Sequence, residues 1–151
     1  KGAIAADTTI DASKSTGGVT IADALDGTTT FKGGAGDDAI SAKMLTDTPV
    51  TEKAVLTFDG FEAGDTIKMD AASGELTKLT VNSTDNWASI MSKIEGDAHV
   101  WFQFGGATYV AVNDATTGIG AGDYIVKLSG TDIDLTDASF TAGILSLPAG
   151  A

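Results

Sequence analysis

Nine consecutive residues constrain this chain more than any others: Gly33-Gly34-Ala35-Gly36-Asp37-Asp38-Ala39-Ile40-Ser41. They complete the pattern Gly-Gly-x-Gly-x-Asp-x-apolar-x, in which a tight corner feeds a short strand. Gly33, Gly34 and Gly36 are expected to let the backbone turn with its carbonyls inward, some of them at positive φ. Asp38 adds a carboxylate to the same small space, and Ile40 enters a strand and points into a core. Carbonyl and carboxylate oxygens around a small loop are the donors that a hard cation such as Ca²⁺ prefers. The same residues also read as a plain glycine-rich turn between two strands.

Short β-type runs surround this corner. Thr8–Ala12, Val19–Asp23 and Thr29–Phe31 precede it at intervals of roughly ten residues, a spacing that suits the rungs of a coil of short strands. Ala39–Ala42 follows, then an excursion over 44–53 with a turn at Asp47-Thr48-Pro49, then a strand at Ala54–Phe58. One helix is well signalled: Trp87, Ile90, Met91 and Ile94 fall on one stripe, Ser83-Thr84-Asp85 offers caps, and Gly96 ends it. That stripe reads as core rather than as a partner face. His99–Phe104 and Thr108–Val112, joined by Gly105-Gly106, read as an antiparallel hairpin. Tyr124–Leu128 and Ile133–Leu135 read as further strands.

Composition narrows the function. The net charge is -12, and none of the 9 basic residues is arginine, so no basic face is available for nucleic acid. Acid is spent as 17 Asp against 4 Glu, which favours turns and calcium loops over helices. Cysteine is absent, which excludes thiol catalysis and Cys-based zinc sites. No apolar run approaches the ~20 residues of a membrane span. Lys1–Ala6 does not read as a secretory leader, and without an initiator Met the chain reads as a piece of a larger protein.

Catalysis has little to stand on. His99 is the only histidine and reads as an ordinary strand residue. Asp132 and Asp134 could mimic a carboxylate pair, but calcium binding or surface solvation is the better reading. Gly118-Ile119-Gly120-Ala121-Gly122 lacks the βαβ context of a dinucleotide loop.

The nonapeptide resembles the repeats of the RTX group, proteins exported by Gram-negative bacteria through type I secretion. Two softer stretches resemble the same group. Asp59-Gly60-Phe61-Glu62-Ala63-Gly64-Asp65-Thr66-Ile67-Lys68-Met69-Asp70 is similar to segments that follow the nonapeptides in exported proteases and surface-layer proteins. Phe104-Gly105-Gly106 to Leu135 is similar to their C-terminal cap. The tandem repeats are missing, and the tail lacks the acidic residue and terminal apolar trio of the exported proteases.

The resemblance implies an all-β fold: a short, degenerate parallel β-roll or β-solenoid over 1–70, continuing into an antiparallel β-sandwich-like cap over 71–151, with one short α-helix near 85–95. It implies a Ca²⁺ site made by Asp38 and the carbonyls of Gly34 and Gly36, with Asp65 as a donor from a second turn, Asp59 as a weaker candidate, and Gly33 shaping the turn. The expected role is structural and not enzymatic: the calcium-binding C-terminal region of a secreted surface-layer protein at the cell surface. Ca²⁺ would drive folding outside the cell and assist self-association into a lattice. Neither nucleic acid nor membrane insertion is expected. The alternatives are an accessory domain of a secreted protease or lipase, and a calcium-dependent adhesin using Trp101 and Tyr109 to hold a glycan.

Overall fold

Runs of Thr, Ile, Val and Phe broken by glycine build strands, and the pairing of those strands follows one rule through the first seventy residues. The computed structural model describes residues 7–46, 50–71, 73–113, 118–130 and 133–148. The first six strands are β1 (Thr9–Asp11), β2 (Thr20–Leu25), β3 (Thr30–Lys32), β4 (Ala39–Ala42), β5 (Leu56–Asp59) and β6 (Thr66–Lys68). They alternate between two sheets. β1, β3 and β5 pair in parallel in one sheet, while β2, β4 and β6 pair in parallel in the other. The chain thus winds three times as a coil, each winding contributing one strand to each sheet.

Register sets what the coil encloses. Ile10 pairs with Phe31, Phe31 with Phe58 and Phe58 with Leu128, giving one apolar column. On the facing sheet Ile40 pairs with Ile67, Ile67 with Leu145 and Leu145 with Phe140. Phe31, Phe58, Ile67 and Leu145 are fully buried, and the Phe31 and Phe58 rings meet edge-on at 4.9 Å.

Both sheets then continue with later strands. β10 (Tyr124–Ser129) adds in parallel to β5, followed by β9 (Ala107–Val112), β8 (His99–Phe104) and the short β7 (Thr77–Lys78). The hairpin of β8 and β9 is antiparallel, as its sequence implies. β12 (Ile144–Ser146) and β11 (Ser139–Thr141) extend the second sheet from β6. Both sheets therefore draw strands from either side of residue 70, and the class is all-β with one helix.

That helix, α1 (Trp87–Lys93), lies on the outer face of the first sheet. Ile90, Met91 and Ile94 are buried with Val100, Phe102, Tyr109 and Ile125 in a second apolar cluster. The strands β8 to β10 are consequently buried on both faces: Trp101, Val110 and Val126 face the interior between the sheets, and their sequence neighbours face the helix. Such strands read as near-continuous apolar runs rather than alternating ones.

Two expectations need correction. The helix is capped by Asn86, not by Ser83, Thr84 or Asp85, because Asn86 and Ser89 exchange side-chain and backbone hydrogen bonds across the first turn. Asp85 instead accepts from Asn82 N–H and from the Lys93 ammonium eight residues on. Ile133–Leu135 is not a strand; Leu135 is buried and Ile133 exchanges hydrogen bonds with the Thr108 hydroxyl. The last strands are β11 and β12, where the type I′-compatible pair Ala142-Gly143 takes positive φ, 52° and 73°. The turn expected at Asp47–Pro49, and Asp132, lie outside the described residues.

Candidate corner site

Each winding turns from one sheet to the other at a corner: residues 12–19, 33–38 and 60–65. The pairing of Thr20 with Ala39, and of Ala39 with Thr66, places Val19, Asp38 and Asp65 at equivalent positions in the three corners. Asp38 and Asp65 are almost fully buried. Their carboxylates form a ladder along the stack. Asp65 Oδ2 accepts from Glu62 N–H in its own corner at 2.8 Å, and its Oδ1 accepts from Asp38 N–H in the preceding corner at 2.8 Å. Asp38 repeats the arrangement: Oδ2 accepts from Gly34 N–H at 2.9 Å, and Oδ1 accepts from Val19 N–H at 2.8 Å. The ladder stops at Val19, which has no carboxylate to pass it on.

Hydrogen bonds to an ionised acceptor contribute about 1.5–3 kcal/mol each, and these satisfy corner N–H groups that no sheet partner reaches. Burial pushes the Asp65 carboxyl above its usual range. Its bonds from Asp38 and Glu62 N–H oppose that rise, and the Asp38 charge adds to it.

The motif glycines act differently from the expectation. None of Gly33, Gly34 and Gly36 takes positive φ. They are glycine because the corners stack closely. A side chain on Gly34 would fall on the carbonyl oxygens of Ser15 and Ala12, and one on Gly36 would fall on the backbone of Gly17 and Gly18. One on Gly33 would meet Asp38 Oδ2 and the Phe58 ring, each at 2.9 Å. The neighbouring winding, not the local turn, excludes a side chain at Gly34 and Gly36; at Gly33 the corner's own Asp38 and Phe58 of the next winding exclude it together.

The structure brings Asp38, Gly33, Gly34, Gly36 and Asp65 together and directs Asp59 elsewhere. Asp59 ends β5, and its Oδ1 accepts from the Ser129 hydroxyl of β10 at 2.9 Å. Its main-chain carbonyl does touch the corner, accepting from Gly33 N–H at 2.8 Å. Asp70 is exposed and pairs with Lys68 at 3.4 Å. Asp134 binds the backbone and hydroxyl of Thr136, as Asp11 binds those of Ser13, and both carboxyls are held below their usual range by those bonds.

One acid of the same kind went unread in the sequence. Asp123 is buried, its Oδ2 accepts from Gly120 N–H at 2.7 Å, and its N–H donates to Gly120 carbonyl. Asp65 does the same with Glu62. The signal was present: Ala63-Gly64-Asp65 and Ala121-Gly122-Asp123 share three residues, and Gly64 and Gly122 take φ of 103° and 101°. The second copy holds the segment after β4, through Leu45 N–H to Asp123 carbonyl and Gly122 N–H to Leu45 carbonyl.

Other candidates resolve into packing. His99 lies against Phe140, ring centroids 5.1 Å apart, and beside Gly74. Trp101 and Tyr109, the aromatic pair of the adhesin alternative, are buried at 1% and 0% exposure and present no platform to a sugar. The Tyr109 hydroxyl donates to Glu52 Oε1 at 2.9 Å; burial first, then that bond and charge, push the phenol far above its usual range.

Fit to a cation turns on Asp38 and Asp65. Among the described residues no three His, Cys, Asp or Glu side chains converge, and the expected ligand set relies on two carboxylates with backbone carbonyls. Each carboxylate offers about four lone-pair directions, of which the ladder uses two. Two buried acids linked through one N–H, with no ion pair to either among the described residues, fit a divalent cation by charge and donor type. No protein-family model matches the chain, and no curated protein matches it by sequence. Among the described residues no helix is long and apolar enough to cross a membrane.

Proposed function

We propose that this chain is a structural, non-catalytic module of a secreted bacterial surface-layer protein, and that Ca²⁺ stabilises its stacked corners. Asp38 and Asp65, with the carbonyls of Gly34 and Gly36, would hold the ion; its charge would offset the two buried carboxylates. The observation that carries this reading is that pair: two acids at equivalent positions of successive windings, buried, and with no cationic side chain paired to either among the described residues. The alternating parallel strands support it, since a complete nonapeptide here sits at the corner of a winding, where the resemblance expects one. The net charge of -12 supports a role for divalent cations between neighbouring copies. Extracellular calcium modules bind in the range of about 0.1–1 mM, so the site would fill outside the cell and stay empty in the cytosol.

The test is thermal unfolding after exhaustive chelation, with Ca²⁺ or Mg²⁺ then added and light scattering followed in parallel. A rise in Tm specific to Ca²⁺, lost in Asp38→Asn, is the expected result. An unchanged Tm at several millimolar Ca²⁺ overturns the reading. A rise in Tm without any rise in particle mass would retain the site and favour an appendage of a secreted enzyme over a lattice protein.

A further inference from the structure

The first winding has no strand paired to its outer side among the described residues. β1 and β2 are the end strands of their sheets among the described residues. Among the described residues, the apolar columns end there. Ile10 and Ile21 are only partly buried, whereas Phe31, Ile40, Phe58 and Ile67, their counterparts in the next two windings, are at most 2% exposed.

Gly17 makes the same point independently. By the pairing of Thr20 with Ala39, Gly17 occupies the position that Gly36 occupies one winding later. Gly36 is glycine because the first winding presses on it. Gly17 has no such neighbour: a side chain there would meet nothing within 4 Å, and its φ is not positive. Neither its own turn nor any described contact requires glycine. Its adjacent residue Gly18, by contrast, faces inward along the stack, where a side chain would fall on Asp37 carbonyl.

We propose that this end is a docking edge for one further winding of the same build: two short extended strands joined by a glycine corner, running parallel to β1 and β2. Its apolar residues would complete the columns above Ile10 and Ile21, and its corner backbone would lie against Gly17 as the corner of residues 12–19 lies against Gly36. The interface is the continuation of the one already made twice within the coil. It rests on strand pairing and close packing, and Ca²⁺ is not required.

The probe is a synthetic peptide with the sequence of residues 27–43, one winding of this coil, added to the labelled protein in chelator. Saturable shifts are expected at the amides of Thr9, Asp11, Thr20 and Ala22. Gly17→Val is expected to leave Tm unchanged and weaken the peptide by about tenfold or more, since one added side chain would keep the corners apart. No shift at millimolar peptide overturns the proposal, as does binding indifferent to Gly17→Val. If sedimentation shows the protein doubling in mass through β1 and β2 without peptide, a second copy is the occupant and the proposal is likewise wrong. Because calcium is absent throughout, this result stands apart from the outcome of the calcium test.

Discussion

The coil of β1 to β6 and the region of β7 to β10 with α1 solve the same problem by different means. In the coil, each strand is three to six residues long, and the windings are joined by buried carboxylates that reach from one corner to the next. In the later region, six-residue strands are buried on both faces, and apolar volume does the joining: all six residues of β9 are buried. The difference follows from chain geometry. A corner must leave one sheet and enter another, so its N–H groups lose their strand partners and need an acceptor supplied by a side chain. A hairpin such as β8 and β9 keeps its backbone paired to the turn and needs only a core on each side.

Substituting a residue that serves both regions tests whether they are one cooperative unit. Phe58 is fully buried, pairs with Phe31 in the coil and with Leu128 of β10. Phe58→Ala is expected to cost about 3–5 kcal/mol in a denaturant melt, with coil and hairpin amides losing hydrogen-exchange protection together. Loss confined to the coil would break the picture of a shared core.

Asp65→Ala sharpens the contrast by striking the coil alone. It leaves the N–H groups of Asp38 and Glu62 without acceptors, at a cost of about 1–3 kcal/mol for the buried Asp38 donor and less for Glu62, whose N–H is only part-buried. Hydrogen exchange is expected to accelerate at those two amides while β8 and β9 stay protected. Equal acceleration in both regions would mean that the ladder supports the whole molecule.

The smallest effect falls on the other side, through Tyr109. Its phenol titrates higher in the folded chain than in the unfolded one. The stabilisation from the neutral phenol is therefore complete below the unfolded value of about 10, and is lost as pH rises beyond it, because the unfolded chain then releases a proton that the fold retains. Tm measured from neutral to strongly alkaline pH should fall in the native chain and fall less in Tyr109→Phe. Identical alkaline profiles would show that Glu52 and burial do not set the proton on Tyr109.

Much of the architecture was legible because periodicity carries it. The runs Thr8–Ala12, Val19–Asp23 and Thr29–Phe31 each become or overlap a strand, and the stripe from Trp87 to Ile94 becomes α1 with its apolar face buried. The cap at Asn86 was missed because four adjacent polar residues can all cap, and only the position of the helix on the first sheet selects one. The hairpin of β11 and β12 was missed because Ser-Phe-Thr and Ile-Leu-Ser are too short to signal strands without β6 to pair with. At the corner, the sequence reading brought together Asp38 and Asp65 but assigned Asp59 to the same group; the Ser129 hydroxyl on β10, seventy residues away, takes that carboxylate. Asp123 could have been found from the repeated Ala-Gly-Asp.

By itself, the sequence determined the strand-and-corner rhythm, the aspartates of its glycine corners and the lone amphipathic helix, since these depend on local conformation and on side-chain period. Tertiary structure alone decided the alternation of strands between two sheets, the parallel register that stacks Val19, Asp38 and Asp65, and the reason for the glycines. Gly34 and Gly36 take ordinary φ values, so nothing in their own backbone demands glycine; the demand comes from carbonyls and amides some twenty residues earlier, pressed close by register. Close approach between distant segments is a property of the assembled coil, and no local pattern encodes it.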